Sequence, residues 1–172
     1  MADIKKLSPI VAKWEAGFVN DPTDKGGVTN MGITIGTWRQ IGYDKTGDGI
    51  IDIQDIRALD EHDFSAVLKI YWNRWQANRL INQSVANILV DWVFTSGAWG
   101  IKITQRILGL KEDGIVGPAT LKAVNSVNQK ELFDKIFEAR KKFFIDIVRN
   151  NPSQKRFIKG WLNRLNDFKY SE

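Results

Sequence analysis

The sequence predicts a mainly α fold with one small β or loop element near residues 17–36. Three observations carry this. Apolar residues recur at three- and four-residue spacings in most of the chain, the period of amphipathic helices. Residues 17–36 break that period with Gly17, Gly26, Gly27, Gly32, Gly36 and Pro22, which favours a short hairpin or ordered loop over a helix. Pro118 and Pro152 stand where helices start or stop.

The elements follow in order. Ile4, Leu7, Val11 and Trp14 predict a helix over 4–15 that ends near Gly17. Thr37 is placed to cap a short helix over Trp38–Ile41. Phe64, Val67, Leu68, Tyr71, Trp72 and Trp75 predict a helix over 61–76, and Val85, Ile88, Leu89, Trp92 and Val93 another over 84–95. Thr95-Ser96-Gly97-Ala98-Trp99-Gly100 reads as a break. A helix over 101–109 follows, then a turn at Gly114–Gly117, then a helix opening on Pro118. Two long helices close the chain, over 131–149 and 154–168, separated by Asn150-Asn151-Pro152. The total is seven or eight helices. The break near 95–100 is the best internal boundary, giving regions 1–95 and 96–172 packed as one globule.

Composition sets the bounds. A chain of 172 residues, 43% hydrophobic with seven Trp and nine Phe, can bury a core as one domain or as a domain with an appended subdomain. It has no run of eighteen apolar residues, so no transmembrane helix is expected. Zero Cys excludes a disulfide framework and thiolate metal sites. The net charge of +5 is localised: residues 130–172 hold 11 Lys/Arg against 6 Asp/Glu, while residues 1–129 hold 14 of each. A basic surface suits an anionic polymer, although amphipathic helices with solvated Lys and Arg give the same count. Nucleic acid is not the expected partner, because aromatic and basic residues do not interleave in a recognisable motif.

The densest chemistry lies in Trp14-Glu15-Ala16-Gly17-Phe18-Val19-Asn20-Asp21-Pro22-Thr23-Asp24-Lys25-Gly26-Gly27-Val28-Thr29-Asn30-Met31-Gly32-Ile33-Thr34. Glu15 ends the first helical stripe, where the helix dipole disfavours a negative charge. Trp14 and Phe18 can wall it in part, as suits a general acid. Asp24 and Asp21 compete for a second carboxylate in the loop. A helix-end acid facing a loop carboxylate and Thr29 is an arrangement that cleaves glycosidic bonds. One carboxyl protonates the leaving oxygen while the polar groups opposite hold water. Asp24 and Thr29 also have plain readings, as a turn former and a β-prone residue. Asn30 is placed to touch sugar hydroxyls or to cap a turn.

The pattern Glu-x-Gly-Phe-Val-x-x-Pro-x-Asp-x-Gly-Gly-x-Thr-Asn-x-Gly-Ile-Thr resembles the signature of glycoside hydrolase family 108, lysozyme-like N-acetylmuramidases. Ala16 stands where the family pattern has Gly. The resemblance implies a lysozyme-like helical fold. It also implies cleavage of peptidoglycan between N-acetylmuramic acid and N-acetylglucosamine, with Glu15 as acid and Asp24 and Thr29 positioning water. It implies phage, prophage or cell-wall contexts, as for an endolysin. Met1-Ala2-Asp3-Ile4-Lys5-Lys6 lacks the apolar core of a signal peptide. The expectation is therefore synthesis in the cytoplasm and action on the wall, in the periplasm or outside, after release by a holin, by lysis or by secretion machinery.

Asp113-Gly114-Ile115-Val116-Gly117-Pro118-Ala119-Thr120 is similar to a pattern of peptidoglycan-binding modules, and the resemblance extends to a predicted peptidoglycan domain after residue 95. Ser96 and Trp99 are the substrate contacts expected there. Thr95 replaces the Asn common in the family. Trp99, beside two glycines, is the expected exposed sugar platform, while Trp72 and Trp92 are assigned to core.

A second motif, Asp44-Lys45-Thr46-Gly47-Asp48-Gly49-Ile50-Ile51-Asp52-Ile53-Gln54-Asp55, reads as a twelve-residue calcium loop of EF-hand or dockerin type. Asp44, Thr46, Asp48, Asp52 and Asp55 supply side-chain oxygens, and Ile50 its carbonyl. Gly49 sits at the sharp turn. Thr at the third position and Asp at the twelfth depart from the usual EF-hand ligands. The expected role of Ca²⁺ is structural. His62, between Glu61 and Asp63, is expected on a polar face without catalytic partners. The expectation is a muramidase. Its rivals are a lytic transglycosylase and a non-catalytic wall-binding or secretion-assisting module.

Overall fold

The computed structural model describes residues 1–15, 17–20 and 27–172. Among the described residues the fold is mainly α, with nine α-helices and one three-stranded antiparallel sheet. Two compact units are distinguished, Ser8–Ile70 and Met1–Leu7 with Tyr71–Glu172. Among the described residues no helix is long and apolar enough to cross a membrane.

In the Ser8–Ile70 unit, α1 (Ile4–Trp14) leads to strands β1 (Phe18–Val19), β2 (Thr29–Asn30) and β3 (Ile33–Thr34). The sheet order is β1-β2-β3, with Phe18 opposite Asn30 and Asn30 opposite Ile33. A two-residue turn, Met31-Gly32, joins β2 to β3. Both turn residues have positive φ, 51° and 74°, as the tightest hairpin turns require. Helix α2 (Ile35–Ile41) then starts directly from β3. Its cap is Thr34, whose hydroxyl accepts from Thr37 N–H, so Thr37 lies inside the helix and is not its cap. Helix α3 (Ile53–Ala58) is short and was not foreseen, because six residues are too few for a visible period. Asp52 and Asp55 form a capping box at its start.

In the other unit, α4 (Glu61–Arg74) runs on from the first unit into α5 (Gln83–Ser96), α6 (Trp99–Ile107), α7 (Pro118–Ser126), α8 (Gln129–Asn150) and α9 (Lys155–Asn166). Helix α5 is buried all round from Ser84 to Val93, so it is the central rod. Gly97, with φ 59°, ends it. Gly100 then brings α6 close: a Cβ there would lie 3.1 Å from the Trp92 backbone. Gln105 ties the Asp113–Thr120 turn to α6. Its amide nitrogen donates to Asp113, to the Ile115 carbonyl and to Thr120, and its carbonyl accepts from Gly114 N–H. The Asp-Gly-x-x-Gly-Pro-x-Thr pattern is thus built into a turn that launches α7 from Pro118.

Three charges lie in the core of this unit. Asp91 on α5 accepts from Arg140 Nη2 on α8 at 2.6 Å and from Arg164 Nη2 on α9 at 2.6 Å. Asp91 and Arg140 are fully buried. Burial alone would push the Asp91 carboxyl up; the two guanidiniums overcome this and hold it below the usual carboxylate value. Burial pulls Arg140 down, from so high a starting value that it stays charged. Removing one member strands the others, so Asp91→Asn is expected to cost about 3–5 kcal/mol in urea unfolding. Replacing all three by apolar residues of similar volume is expected to cost far less. The folded pKa of Asp91 is depressed, so its contribution is complete above the unfolded value and is lost as pH falls through the folded value. Wild-type stability is therefore expected to drop below about pH 4, and Asp91→Asn to lose that part of the dependence.

Candidate active site

Glu15 follows the last residue of α1, and its N–H still bonds back to Val11 and Ala12 carbonyls at 3.2 and 3.3 Å. Gly17, with φ 87°, then turns the chain into β1. The Glu15 side chain is half-buried and lies against Gly32 in the β2–β3 turn. A Cβ at Gly32 would stand 2.3 Å from Glu15 Oε2 and 2.5 Å from its carboxyl carbon, far inside contact distance. The bare backbone of Gly32 is therefore the seat of the carboxyl. The Met31 N–H, donating to the Gly17 carbonyl at 3.4 Å, ties this turn to the end of α1.

Thr29 lies on β2, part-buried, opposite Val19 and Thr34. Its hydroxyl donates to the Gly27 carbonyl at 3.3 Å, and among the described residues the oxygen's lone pairs stay open to accept. Asn30 points the other way from the same strand and is buried. Its amide nitrogen donates to the Ile56 carbonyl at 2.8 Å, holding β2 to α3. That nitrogen is committed to the fold. Asp24 and its competitor Asp21 lie outside the described residues. Phe18 is partly exposed beside the site, with the Arg57 guanidinium 5.0 Å over its ring.

In the other unit, Ser96 ends α5 and is half-exposed. Its hydroxyl lies 3.4 Å from that of Thr95, which in turn accepts from Arg140 at 3.2 Å. Trp99 opens α6 and is 52% exposed, whereas Trp38, Trp72, Trp75 and Trp92 are buried.

The Asp44–Asp55 loop is closed by its own hydrogen bonds. Asp44 accepts from Gly47 and Gly49 N–H at 2.6 and 2.7 Å, and Gly47 and Gly49 have φ 78° and 93°. Asp48 accepts from Ile50 N–H, and Asp52 from Gln54 N–H. Asp55 is fully buried. It accepts from Lys45 and Thr46 N–H on one oxygen and from Asp52 N–H on the other. These backbone donors hold the Asp44 and Asp55 carboxyls below the ordinary value, largest from Gly49 and from Asp52 respectively. Lys45 pairs with Asp60 and Asp63 at 2.9 and 2.6 Å and pulls Asp60 down to about 2. Among the described residues, the one group of three acidic or His side chains close enough to share an ion is Asp60, His62 and Asp63, and Lys45 already occupies both of its carboxylates. The loop offers the hard oxygen donors that Ca²⁺ takes, and the Asp44 and Asp55 carboxylates both meet the Thr46 hydroxyl, at 3.3 and 3.2 Å, while also accepting from backbone N–H groups.

A mainly α fold with a helix-end carboxyl seated on a small antiparallel sheet is the arrangement expected of a lysozyme-type glycoside hydrolase. The family model described as Glycosyl hydrolase 108 matches residues 8–97, over half of the chain, and the chain belongs to that family. A model described as Predicted Peptidoglycan domain matches residues 99–166. Among solved structures the chain is similar to SagA of Brucella abortus, with a TM-score of 0.78 and 27% identity over 95% of this chain and 90% of that one. No match was found among curated proteins. The protein is a peptidoglycan hydrolase, an N-acetylmuramidase.

The sequence singles out Glu15 as the candidate acid but does not give the seat of its carboxyl. The signal was present in Met31-Gly32, a two-residue link between β-prone pairs. Gly32→Ala is expected to lower stability by about 1 kcal/mol, because the site has positive φ, as measured by thermal or urea unfolding. It is also expected to move the Glu15 carboxyl resonance in NMR spectra, since the new methyl group takes the carboxyl's place.

Proposed function

We propose that Glu15 is the general acid of the muramidase, donating its proton to the glycosidic oxygen as the bond to the leaving sugar breaks. The observation that carries this is the seating of its carboxyl on Gly32, which gives a half-buried acid a fixed position at the edge of the sheet. Asp24 and Thr29 are assigned to the water that attacks the anomeric carbon. The open lone pairs of the Thr29 oxygen suit it to accept from that water. Water delivered between two carboxyls roughly 6.5–9.5 Å apart inverts the anomeric configuration.

The test is reducing-sugar release from purified peptidoglycan, with products identified by mass. Glu15→Gln is expected to lower release by a factor of about 10²–10⁴ without lowering the melting temperature. Gly32→Ala is expected to lower kcat well beyond what its stability loss explains. Hydrated reducing ends are the expected product, and 1,6-anhydro ends would reassign the chain to lytic transglycosylases. Full activity in Glu15→Gln would remove Glu15 from the chemistry.

We also propose that the Asp44–Asp55 loop takes Ca²⁺ as a structural ion. Its support is the setting: α2 precedes the loop, α3 leaves from its last positions, and the sixth-position Gly49 N–H closes onto the first-position Asp44 carboxylate. Binding requires the Asp55 carboxylate to exchange backbone donors for the ion. Millimolar Ca²⁺ is expected to raise the melting temperature by several degrees, and Asp44→Ala to abolish the rise. An unchanged melting temperature, with no heat on calorimetric titration, would leave the loop closed by hydrogen bonds alone.

A further inference from the structure

Helix α3 sets an arginine over the small sheet beside Glu15. Phe18 on β1 stands directly opposite Asn30 on β2, so their side chains share one face of the sheet. Asn30 spans from that face to α3, where its amide nitrogen donates to the Ile56 carbonyl at 2.8 Å. The next residue, Arg57, places its guanidinium carbon 5.0 Å from the centre of the Phe18 ring. The hydrogen bond between β2 and α3 thus helps to set the reach of Arg57. Phe18 is three residues past Glu15, and Asn30 is two residues before Gly32, on which the Glu15 carboxyl is seated. Two residues of strand span about 7 Å and neighbouring strands lie about 5 Å apart, so the Phe18–Arg57 pair stands roughly 10 Å from the proposed acid. One glycan strand can meet both.

Arg57 is exposed, and among the described residues its guanidinium has no ion pair or hydrogen bond. Other cations of the same unit are committed: Lys45 pairs with Asp60 and Asp63, and Arg39 donates to the Ile51 carbonyl. A guanidinium stacked on a ring meets it with its flat face and keeps the N–H groups along its edge for another partner. Those donors are spaced for the two oxygens of a carboxylate. Apolar surface lies alongside. Phe18 is 36% exposed, and Ile53, one turn before Arg57 on the same side of α3, is 37% exposed. Apolar surface with an uncommitted cation suits a ligand that is itself part apolar and carries a carboxylate.

We propose that Arg57, held over Phe18, is a specificity-determining residue of the hydrolase. It binds a carboxylate borne by the glycan strand and so tells strands that contain muramic acid from neutral ones. Such carboxylates have two sources. One is the lactyl group of N-acetylmuramic acid, free where no peptide is attached. The other is the stem peptide, whose own carboxyl groups are free while it occupies the lactyl group as an amide. Arg57 acts by holding substrate, not on the reacting bond. The proposal rests on Glu15 marking the place of cleavage.

The experiment reads affinity. Full-length Glu15→Gln protein is titrated with three soluble ligands: glycan strands with their stem peptides, strands stripped of them by an amidase, and N-acetylglucosamine oligomers, which carry no carboxylate. Arg57→Gln in that background is expected to weaken binding of at least one muramic acid ligand by about tenfold and to leave the neutral oligomers unchanged. A loss on stripped strands assigns the lactyl carboxylate, and a loss on peptide-bearing strands alone assigns the stem. With Glu15 intact, Arg57→Gln is expected to raise KM by a similar factor while kcat stays within about twofold. Arg57→Lys is expected to recover part of the affinity, since it restores the charge without the planar fork. Equal affinity of Arg57→Gln and its parent for both carboxylate-bearing ligands would overturn the proposal. So would an equal loss on all three ligands, which marks a change of fold. Should Arg57→Gln unfold, Arg57→Met keeps an apolar stem on the ring without the charge, and the same titration decides. Full hydrolysis by Glu15→Gln would instead overturn the reading of Glu15. That failure shows directly as turnover, and the KM comparison with Glu15 intact still reads Arg57, so the two are told apart.

Discussion

The Asp91–Arg140–Arg164 cluster is the constraint on which the C-terminal helices depend. Three helices that could slide on apolar faces alone are pinned at one point, because a buried carboxylate must keep both guanidiniums to remain tolerable. The Arg140 guanidinium also lies against aromatic faces, with Phe144 and Phe168 at 5.6 and 5.7 Å from its carbon. Arg140 Nη2 also donates to the Thr95 hydroxyl, so the cluster reaches the last turn of α5, where Gly97 redirects the chain into α6. The position of Trp99 at the head of α6 is therefore set by polar contacts two residues before the break as much as by packing.

The Glu15 region uses a different device. Backbone conformation, not buried charge, fixes the carboxyl. Gly17, Met31 and Gly32 all have positive φ, and Met31 does so with a side chain that disfavours it. Strain of this kind persists only where surrounding contacts impose it. Here the register of three two-residue strands imposes it, with the Asn30–Ile56 hydrogen bond holding the sheet down onto α3. Asn30, expected as a sugar contact, has its amide nitrogen committed to that task.

Much of this was legible in the sequence, and the exceptions have physical causes. Long stripes such as Phe133, Ile136, Phe144 and Ile147 placed α8 closely, because a 22-residue helix repeats its period often enough to be read. The six-residue α3 repeats it hardly at all, and its capping box was read as calcium ligands instead. The same two residues, Asp52 and Asp55, satisfy both readings, since a capping carboxylate and a metal-ligating carboxylate are the same chemical group. The buried cluster left a fainter signal. Asp91 interrupts Ile88-Leu89-Val90 and Trp92-Val93, and Arg140 falls four residues before Phe144 on the apolar face of α8. A charge at a core position in each of two helices is evidence of a pair, but which helices meet is a tertiary fact that spacing cannot supply. The role proposed for Glu15 rests on its motif; the seat of its carboxyl on Gly32 is visible in the structure alone.

On the proposed role of Glu15, the way its carboxyl is held follows from what the task needs. A general acid must be placed to within a fraction of an ångström of one oxygen, so its position is tied to rigid backbone, where a single added carbon at Gly32 would displace it. A polymer-holding surface tolerates looser placement and gains from area and charge. Hydrolysis of an insoluble polymer requires both, since an acid with no means of staying on the strand must find it again after each cut. The charge distribution agrees with that division. The first 98 residues hold the proposed acid, and the basic excess of the chain lies beyond them.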